Sequence, residues 1–403
     1  MKVLIIGGGI GGLTAALCAH HQGHEVSLFE KTDEFKDVGA GIQIPPNAMK
    51  VLGALGLDKM AAQNAFEPVS IEARMGKSGR SIFTIPLGNQ AIKRWNAPYL
   101  HIHRADYIDV LQTALRECAA NAVHHNANAV SYHQDAGSIT LNLSDGRSFT
   151  GDVLIGADGI KSVMREQMFG RENPIFTGNI AWRMTMPVSE LGEYAPNPTA
   201  CVWMGEGRHG VTYRLRGGKL ANFVGVVEQG EWRQDADMPD SWSALGHREE
   251  ALEDFKDWHP VITKIIQSAA TDRLYRWALY DRMPLKSWID GRAVLLGDAA
   301  HPMLPFLAQG AAMAVEDSWV LAQEISRDNR PVHQSLKAYQ DNRLDRCNKV
   351  QAASRANMTT FHQRTRGRQL LTYGPMWLAG HIAPAIVHKR MDWLYGHDVT
   401  HCP

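Results

Sequence analysis

Residues 2–17 read KVLIIGGGIGGLTAAL, an apolar run that passes through glycines into helix-forming residues, and a second apolar run, EVSLF, follows at 25–29. This order predicts a strand, a glycine turn, a helix and a second strand. Gly7, Gly9 and Gly12 have the spacing in which the first glycine makes a tight turn, the second lets a diphosphate approach the backbone, and the third allows the helix to lie close to the strand.

An acidic residue, Glu30, closes the second strand about twenty residues beyond the glycine turn, where a carboxylate accepts hydrogen bonds from an adenosine ribose 2′-OH. Diphosphate would lie at the helix N-terminus, whose unpaired N–H groups and dipole favour negative charge. A signal peptide or a membrane anchor is the alternative, but five glycines interrupt the run and it is too short to span a bilayer. The stretch predicts dinucleotide binding and leaves NAD and FAD open.

Composition restricts the class of protein further. A chain of 403 residues can form two or three domains. Lysine plus arginine and aspartate plus glutamate number 42 each, so no net charge attracts nucleic acid or an anionic membrane. The five cysteines are scattered and lack metal-ligand spacing, which predicts no metal site and a cytoplasmic location. Glycine, histidine and proline interrupt the apolar residues 376–387, so we expect packed helices there and no stable membrane span.

A second apolar strand, DVLIGADG at 152–159, ends at the glycine-flanked Asp158. Asp158 either caps the turn that follows or faces a ligand, because open α/β sheets bind ligands beyond the carboxyl ends of their strands. Smaller elements predicted from periodicity are a hairpin over 70–87 with its turn at 76–79, a helix over 108–119 and a β-meander over 129–150. Gly39 and Gly41 indicate backbone that lies close to another group.

Residues 171–285 change in character, because alternating apolar and polar residues replace the continuous apolar runs. The pattern predicts an antiparallel sheet in a second domain, with one face covering a pocket. The expected strands are 179–188, 200–204, 209–215, 220–227 and 274–280, with one helical stretch near 243–258.

Residues 291–317 read GRAVLLGDAAHPMLPFLAQGAAMAVED, a buried strand that ends at Asp298, a proline-rich turn, and the start of a long helix that continues to about Ile325. The chain from about Val332 is helical, and its basic residues are expected to form a solvated face.

These three signals, the glycine turn with Glu30, GADG at 156–159 and GDAAHP at 297–302, together resemble the single-component flavoprotein aromatic hydroxylases. This is the family of salicylate, 3-hydroxybenzoate and 6-hydroxynicotinate monooxygenases, and the likeness runs over nearly the whole chain. The resemblance implies bound FAD, NADH or NADPH as co-substrate, and a small aromatic substrate with dioxygen.

The resemblance also implies an α/β fold, in which a Rossmann-like FAD-binding domain is joined to an α+β substrate domain with a mostly antiparallel sheet and to a helical C-terminal region. The expected FAD-binding domain is discontinuous, over 1–75, 98–170 and 286–325. The substrate domain covers 76–97 and 171–285, and the helical region covers 326–403.

By the same resemblance, Arg104 lies over the diphosphate, which suits a guanidinium, and Asp298 accepts hydrogen bonds from the ribityl region. Pro305 lies against the flavin, and the helix beginning near Gly310 directs its N-terminus at the N1–C2 edge, where reduced flavin is anionic. His301 resembles a structural residue. The residues assigned to FAD are Gly7, Gly9, Gly11, Gly12, Glu30, Lys31, Gln43, Arg104, Asp158, Asp298, Pro305, Ala308, Gln309, Gly310 and Ala311.

For the substrate, His209 and Tyr213 lie four residues apart on a predicted strand and therefore share a face. The 6-hydroxynicotinate type resembles this run, and the resemblance implies that the pair removes the proton of the substrate hydroxyl. The alternative is a histidine and a tyrosine that face solvent or pack in a core. Gln43 stands where the nicotinate type has histidine, which counts against that substrate. Arg183 pairs with a substrate carboxylate or braces the sheet.

The expected function is NAD(P)H-dependent hydroxylation of a small phenolic or hydroxy-heteroaromatic acid through a C4a-hydroperoxyflavin. Alternatives are an FAD-dependent epoxidase or reductase, which would have an apolar tunnel, and a non-enzymatic flavin redox sensor, which would show no ligand-stimulated NAD(P)H oxidation. A homodimer is compatible with the sequence, which does not specify the oligomeric state.

Overall fold

The structure is a computed structural model that describes residues 1–34, 41–229, 244–328 and 330–401. Gly39 and residue 243, the first of the predicted stretch 243–258, lie outside these ranges. In chain order the strands are β1 Lys2–Ile6, β2 Glu25–Phe29, β3 Gly41–Ile44, β4 Ser70–Met75, β5 Ser81–Pro86, β6 Leu100–His103, β7 Val123–His124, β8 Ala129–Gln134, β9 Ile139–Leu143, β10 Ser148–Gly151, β11 Val153–Gly156, β12 Ile175–Pro187, β13 Ala200–Gly205, β14 Arg208–Leu215, β15 Leu220–Glu228, β16 Leu274–Asp281, β17 Ile289–Asp290 and β18 Ala293–Leu295. The helices are α1 Ile10–His21, α2 Pro46–Ala54, α3 Asp58–Gln63, α4 Asn89–Trp95, α5 Arg104–Cys118, α6 Val163–Phe169, α7 Arg248–Asp254, α8 Pro260–Ser268, α9 Gly310–Ile325, α10 Val332–Phe361, α11 Arg366–Ile382, α12 Pro384–Lys389 and α13 Asp392–Tyr395.

A six-stranded sheet forms the first layer, with the order β17-β18-β11-β1-β2-β7. β1 pairs in parallel with β11 and β2, and β18 pairs in parallel with β11. The central strands are apolar throughout because the sheet is covered on both faces. Since β18, β11 and β1 are neighbours, the three turns at their carboxyl ends lie side by side at one edge of the sheet.

The glycine turn after β1 has two positions that require glycine. Gly7 has a φ of +100°, and a Cβ there would lie 2.4 Å from the carbonyl oxygen of Ala157. A Cβ on Gly12 would lie 1.8 Å from the carbonyl oxygen of Gly7. The predicted roles of these two glycines, a tight turn and close contact between helix and strand, are therefore confirmed.

A seven-stranded sheet forms the second part of the fold, with the order β16-β12-β15-β14-β13-β4-β5. It is antiparallel except for β13, which pairs in parallel with β4. The predicted hairpin over 70–87 is β4 and β5. Because β4 belongs to this sheet, the predicted boundary after residue 75 falls inside the hairpin, and the division into domains otherwise remains a prediction.

One face of the seven-stranded sheet is covered by α7 and α8 around a core that includes Trp182, Phe223 and Phe255. α8 was not predicted, although Pro260 at its first turn and apolar Ile262 and Ile266 four residues apart form a helical pattern. The opposite face contacts the segment after β18 and the end of α10. The site described below lies on this opposite face.

The C-terminal helices lie against both sheets. α10 packs along α9, and α11 contacts β5, where a Cβ on Gly380 would meet Phe83 at 2.6 Å. Within the described part of the chain, no single helix is long and apolar enough to cross a membrane. Arg366–Ile382 and Pro384–Tyr395, bent by 110°, meet the length and composition criteria only as a pair. The mixed α/β fold with a helical C-terminal region confirms the predicted fold class.

Candidate cofactor and substrate site

The glycine turn and Glu30 form one end of the site. Glu30 accepts a hydrogen bond from the N–H of Gly8 at 2.7 Å, and its other oxygen accepts from the Thr32 hydroxyl at 2.8 Å. Gly9 precedes α1 without a side-chain cap, and a Cβ there would meet nothing within 4 Å. The first amides of α1 therefore face an open anion site, and Lys31 is exposed beside it.

Gly11 has a different environment from its neighbours. A Cβ at this position would lie 2.9 Å from Cδ2 of Leu296 and 3.4 Å from the Cβ of Ala314. The hydroxyl of Ser318 also donates to the carbonyl oxygen of Gly11 at 3.2 Å. Gly11 thus lies in the contact between α1 and α9, whereas the resemblance assigned it to the cofactor.

Asp158 follows β11 and caps α6, the first of the two alternatives that its sequence context allowed. One carboxylate oxygen accepts from the N–H of Val163 at 2.8 Å. The other oxygen is buried and has no hydrogen-bond partner among the described residues. The Cα of Asp158 would lie 3.0 Å from a Cβ on Gly7. The GADG segment at 156–159 therefore lies directly against the glycine turn after β1.

Asp298 follows β18 and lines a concave surface, because its side chain is accessible to solvent although protein surrounds it. Desolvation raises the pKa of its carboxyl, while the nearby charges of His301 and Arg104 act in the opposite direction. Arg104 is the first residue of α5, which begins four residues before the predicted helix. A Cβ on Gly310 would lie 3.9 Å from the Asp298 carboxylate. Asp298 therefore lies between Arg104 and the start of α9.

The N-terminus of α9 is prepared for a hydrogen-bond acceptor. Gln309 precedes the helix without capping it, and its side-chain oxygen Oε1 accepts a hydrogen bond from Nδ2 of Asn47 at 3.1 Å. Nε2 of Gln309 is buried and has no acceptor among the described residues. A left-handed residue, Ala308 at a φ of 52°, turns the chain into the helix, with Ala311 in its first turn and Pro305 exposed just before it. An uncapped helix N-terminus and an orphaned amide donor fit a polar, electron-rich ring edge.

A buried ion network holds the segment between β18 and α9. His301 Nε2 lies 2.5 Å from Asp317, whose other oxygen accepts from Arg343 at 2.8 Å. Arg343 also donates to Glu316 at 2.6 Å. His301, Asp317 and Cys347 have their ligand atoms within 4.8 Å of one another, but the guanidinium on the same carboxylate explains the cluster as an ion network. His301 is therefore structural, as the resemblance implied.

His209 and Tyr213 point to the same face of β14, as predicted, but they do not meet. Four residues of strand separate them by about 13 Å. Tyr213 lies with its ring 4.7 Å from that of His101, and a Cβ on Gly41 would approach its hydroxyl to 2.8 Å. Burial raises the pKa of Tyr213 to about 12, although the charge of Arg183 lowers it. The prediction for Gly41, a close backbone approach, is confirmed.

His209 is 2% exposed and lies at the other end of the face. The centroid of its ring lies 5.1 Å from that of Phe306 and 5.2 Å from that of Phe361. Its Nδ1 lies 2.7 Å from Nε2 of His362, and Nδ1 of His362 lies 2.9 Å from a carboxylate oxygen of Glu228. Burial and the neighbouring His362 hold the pKa of His209 well below its ordinary value, so the imidazole is neutral.

The strand β3 is fixed onto this face by polar side chains. Arg183 donates to the carbonyl oxygen of Gly41 at 2.7 Å, and Asn222 accepts from the Gly41 N–H at 3.0 Å. Gln43 accepts a hydrogen bond from the Tyr99 hydroxyl. Arg183 thus braces the sheet, as one of its two predicted roles required, and its partly exposed side chain also borders the open part of the face.

The polar partners His362, Glu228, Asn47 and Asn222 were not identified from the sequence. They carry no motif, and each becomes significant only through a residue far away in the chain, as Asn47 does through Gln309 and Glu316. His362, the residue directly after the long helix α10, gives no local signal that it will contact a strand.

Comparison with known proteins agrees with this geometry. The model of a family described as FAD binding domain matches residues 1–354. The 3-hydroxybenzoate 6-hydroxylase 1 of Aquipseudomonas alcaligenes is 35% identical over 399 residues, covering 99% of this chain and 98% of that protein. The 6-hydroxynicotinate 3-monooxygenase of Bordetella bronchiseptica is 32% identical over 401 residues, covering 99% and 95%.

Among solved structures, Klebsiella pneumoniae HpxO complexed with FAD and uric acid superposes with a TM-score of 0.85 at 25% identity, covering 98% of this chain and 97% of that chain. The predicted family, FAD as cofactor and enzyme class are confirmed. The chain belongs to the FAD binding domain family and, within it, to the FAD-dependent monooxygenases of the aromatic hydroxylase type.

Proposed function

We propose that this protein uses NADH or NADPH to hydroxylate a small phenolic or hydroxy-heteroaromatic acid. This proposal rests on His209, a buried and neutral histidine on the open face of the seven-stranded sheet. Its ring packs against Phe306, which belongs to the segment between β18 and α9. Two relatives are named as a 3-hydroxybenzoate hydroxylase and a 6-hydroxynicotinate monooxygenase. Both named substrates are aromatic acids that bear a ring hydroxyl. A base that removes the hydroxyl proton makes such a ring more reactive toward electrophilic oxygen.

The residues at the sheet edge would hold FAD, whose isoalloxazine ring supplies the hydride acceptance and dioxygen activation. The open start of α1 suits the diphosphate, and Glu30 suits the adenosine ribose. Arg104 adds positive charge beside Asp298, and the uncapped start of α9 with Gln309 Nε2 suits the polar edge of the ring. Lys31 and Gln43 remain proposed contacts, and Gly11 supports the cofactor indirectly by allowing α1 to contact α9.

We assign the role of base to His209 and a positioning role to Tyr213. A neutral imidazole can accept a proton at neutral pH, whereas the phenol of Tyr213, with a pKa raised to about 12, stays protonated. One substrate hydroxyl cannot contact both, since they are separated by about 13 Å along the strand. Between them, the partly exposed Val211 offers an apolar wall, and Arg183 offers positive charge to a carboxylate.

We expect purified protein to be yellow and to oxidise NADH or NADPH faster when the correct acid is added. A panel of hydroxybenzoates and hydroxynicotinates, with product analysis, tests this expectation. A yellow protein that forms no hydroxylated product from any of them would refute the proposed function, and flavin without stimulated NAD(P)H oxidation would favour the redox sensor.

His209→Ala is expected to lower the rate of product formation by about 10²–10⁴-fold, because the substrate hydroxyl loses its base. Tyr213→Phe should lower it less than about tenfold, since the ring still fills its place beside His101. Both variants should retain normal FAD content, measured by flavin absorbance. Wild-type rates in His209→Ala, or a larger loss in Tyr213→Phe, would reverse the assignment.

We further propose that the protein acts in the cytoplasm, because its five cysteines are scattered along the sequence.

We also propose that two copies of the chain associate through α11. Support for association comes from exposed apolar residues along one helix, with Leu371 at 79% and Ile382 at 74% exposure. A Leu371→Glu, Ile382→Glu double variant should sediment as a monomer where the wild type sediments as a dimer. Ile92→Glu, at an exposed position on α4, is the control. Equal sedimentation of the wild type and the double variant would argue against this interface.

A further inference from the structure

A continuous series of hydrogen bonds connects the buried His209 with the protein surface. His209 lies 2.7 Å from His362, and His362 lies 2.9 Å from Glu228, in each case between a ring nitrogen and the next polar atom. Both imidazoles are buried, whereas Glu228 lines an open surface pocket of about 310 Å³. The series therefore runs from the face of the sheet at which we place the substrate to bulk solvent.

The surroundings of this series are apolar at the inner end and charged at the outer end. Phe306 and Phe361 cover the His209 ring, and His362 is its hydrogen-bond partner among the described residues. At the surface, Arg364 donates to Glu228 at 2.9 Å, and Arg208 and Glu206 line the same pocket. Glu206 is paired with Lys77 at 2.7 Å and does not contact either histidine among the described hydrogen bonds.

We propose that His362 and Glu228 form a proton relay, which carries the proton of the substrate hydroxyl from His209 to solvent and returns it when the product is re-protonated. This inference rests on the proposed function, because it requires a substrate with an acidic hydroxyl. His362 and Glu228 do not touch the substrate and act through His209.

The protons balance along the series. His209 starts with its proton on Nδ1, shared with His362, and accepts the substrate proton on Nε2. It passes the Nδ1 proton to Nε2 of His362, which passes its own Nδ1 proton to Glu228. Glu228 releases a proton to water in the pocket. One proton enters, one leaves and no electron moves, and the reverse transfer after hydroxylation restores the starting tautomers.

The relay would allow a buried base with a low proton affinity to release the proton that it accepts. Burial holds the pKa of His209 well below its ordinary value and also lowers that of His362, although Glu228 raises the latter. Such a histidine is available as a neutral acceptor but holds a proton weakly. Passing the proton on to a carboxylate at the surface removes the charge from the apolar interior, where it would be costly.

The test measures proton release without turnover. Oxidised holoenzyme in weak buffer is mixed with 3-hydroxybenzoate or 6-hydroxynicotinate, whichever the wild type hydroxylates. A pH-indicator dye in the buffer reports the released protons. Glu228→Gln and His362→Gln should slow proton release at least about tenfold at unchanged flavin content and ligand affinity. Glu206→Gln makes the same chemical change in the same pocket and should release protons at the wild-type rate.

Rescue separates a relay from a merely structural role. Added acetate can supply a carboxylate at the open pocket, so it should restore fast proton release in Glu228→Gln. Wild-type proton release in both Glu228→Gln and His362→Gln would overturn the relay while leaving the proposed function intact, and so would slow release in Glu228→Gln that acetate does not restore. A wild type that hydroxylates no member of the panel would overturn the proposed function and the relay together.

Discussion

Gly12→Ala is expected to yield protein that binds almost no FAD and unfolds far more easily than the wild type. The added Cβ would lie 1.8 Å from the carbonyl oxygen of Gly7, a backbone atom that cannot rotate away. Relieving this contact requires α1 to move off β1, at a cost of about 3 kcal/mol or more. Flavin absorbance of the purified protein and its thermal unfolding, followed by circular dichroism, measure the two effects.

Gly9→Ala is the matched comparison, because the same methyl group is added three residues earlier in the same turn. Gly9 has a φ of −75°, which alanine accepts, and a Cβ there meets no protein atom within 4 Å. We expect the FAD-free protein to unfold at nearly the wild-type temperature, while FAD affinity falls by about tenfold or more, about 1.4 kcal/mol, because the methyl group occupies the approach to the α1 amides. Full FAD occupancy in Gly12→Ala, or unchanged affinity in Gly9→Ala, would contradict these roles.

Arg343→Met is expected to lower the free energy of unfolding by about 3–5 kcal/mol, since it removes the cation from a buried network and leaves two carboxylates short of a partner. Arg343 is 1% exposed and donates to Asp317 at 2.8 Å and to Glu316 at 2.6 Å. Urea denaturation measures the loss. Lys337→Met is the control on the same helix, where an exposed pair with Asp341 is removed, and it should change stability by less than about 0.5 kcal/mol.

The same network makes stability depend on pH. The folded pKa of Glu316 and that of Asp317 are both about 2, from ordinary values of 4.5 and 3.8, because nearby positive charge outweighs burial. A depressed carboxyl pKa contributes stability that is present above the ordinary value and is lost as pH falls toward the folded one. The difference in free energy of unfolding between wild type and Arg343→Met should therefore narrow as the pH falls from about 5 to about 2.

His301 affects the pH dependence of stability in the direction opposite to that of the two carboxylates. Its neighbours Cys347 and Asp317 hold the pKa of its imidazole well above the ordinary 6.5 against the effect of burial. A raised histidine pKa contributes stability that is present below the ordinary value and is lost as pH rises through the folded value. We therefore expect wild-type stability to decline on the alkaline side as well. A wild-type protein and an Arg343→Met variant with parallel pH profiles would show that the network contributes little.

The sequence by itself determined the local parts of this protein. Gly12 indicates the turn after β1 because a Cβ there would meet the carbonyl oxygen of Gly7, five residues earlier. Gly7 indicates it because its φ of +100° is a backbone conformation that residues with side chains rarely adopt. Asp298 and the helix after it were recognisable for the same reason, since a strand, a turn and a helix start follow one another in the chain. The carboxyl ends of β1, β11 and β18 meet at one edge because parallel strands that are neighbours must end together.

Only the tertiary structure decided how the polar groups are connected. His209 and His362 are 153 positions apart, and His362 and Glu228 are 134 apart, so neither contact leaves a periodic trace in the sequence. Shared strand periodicity correctly placed His209 and Tyr213 on one face, but it could not show that their surroundings differ. Burial against Phe306 and contact with His362 keep His209 a neutral base, while burial keeps Tyr213 a protonated phenol, because the electrostatics of a side chain depend on what the fold brings around it.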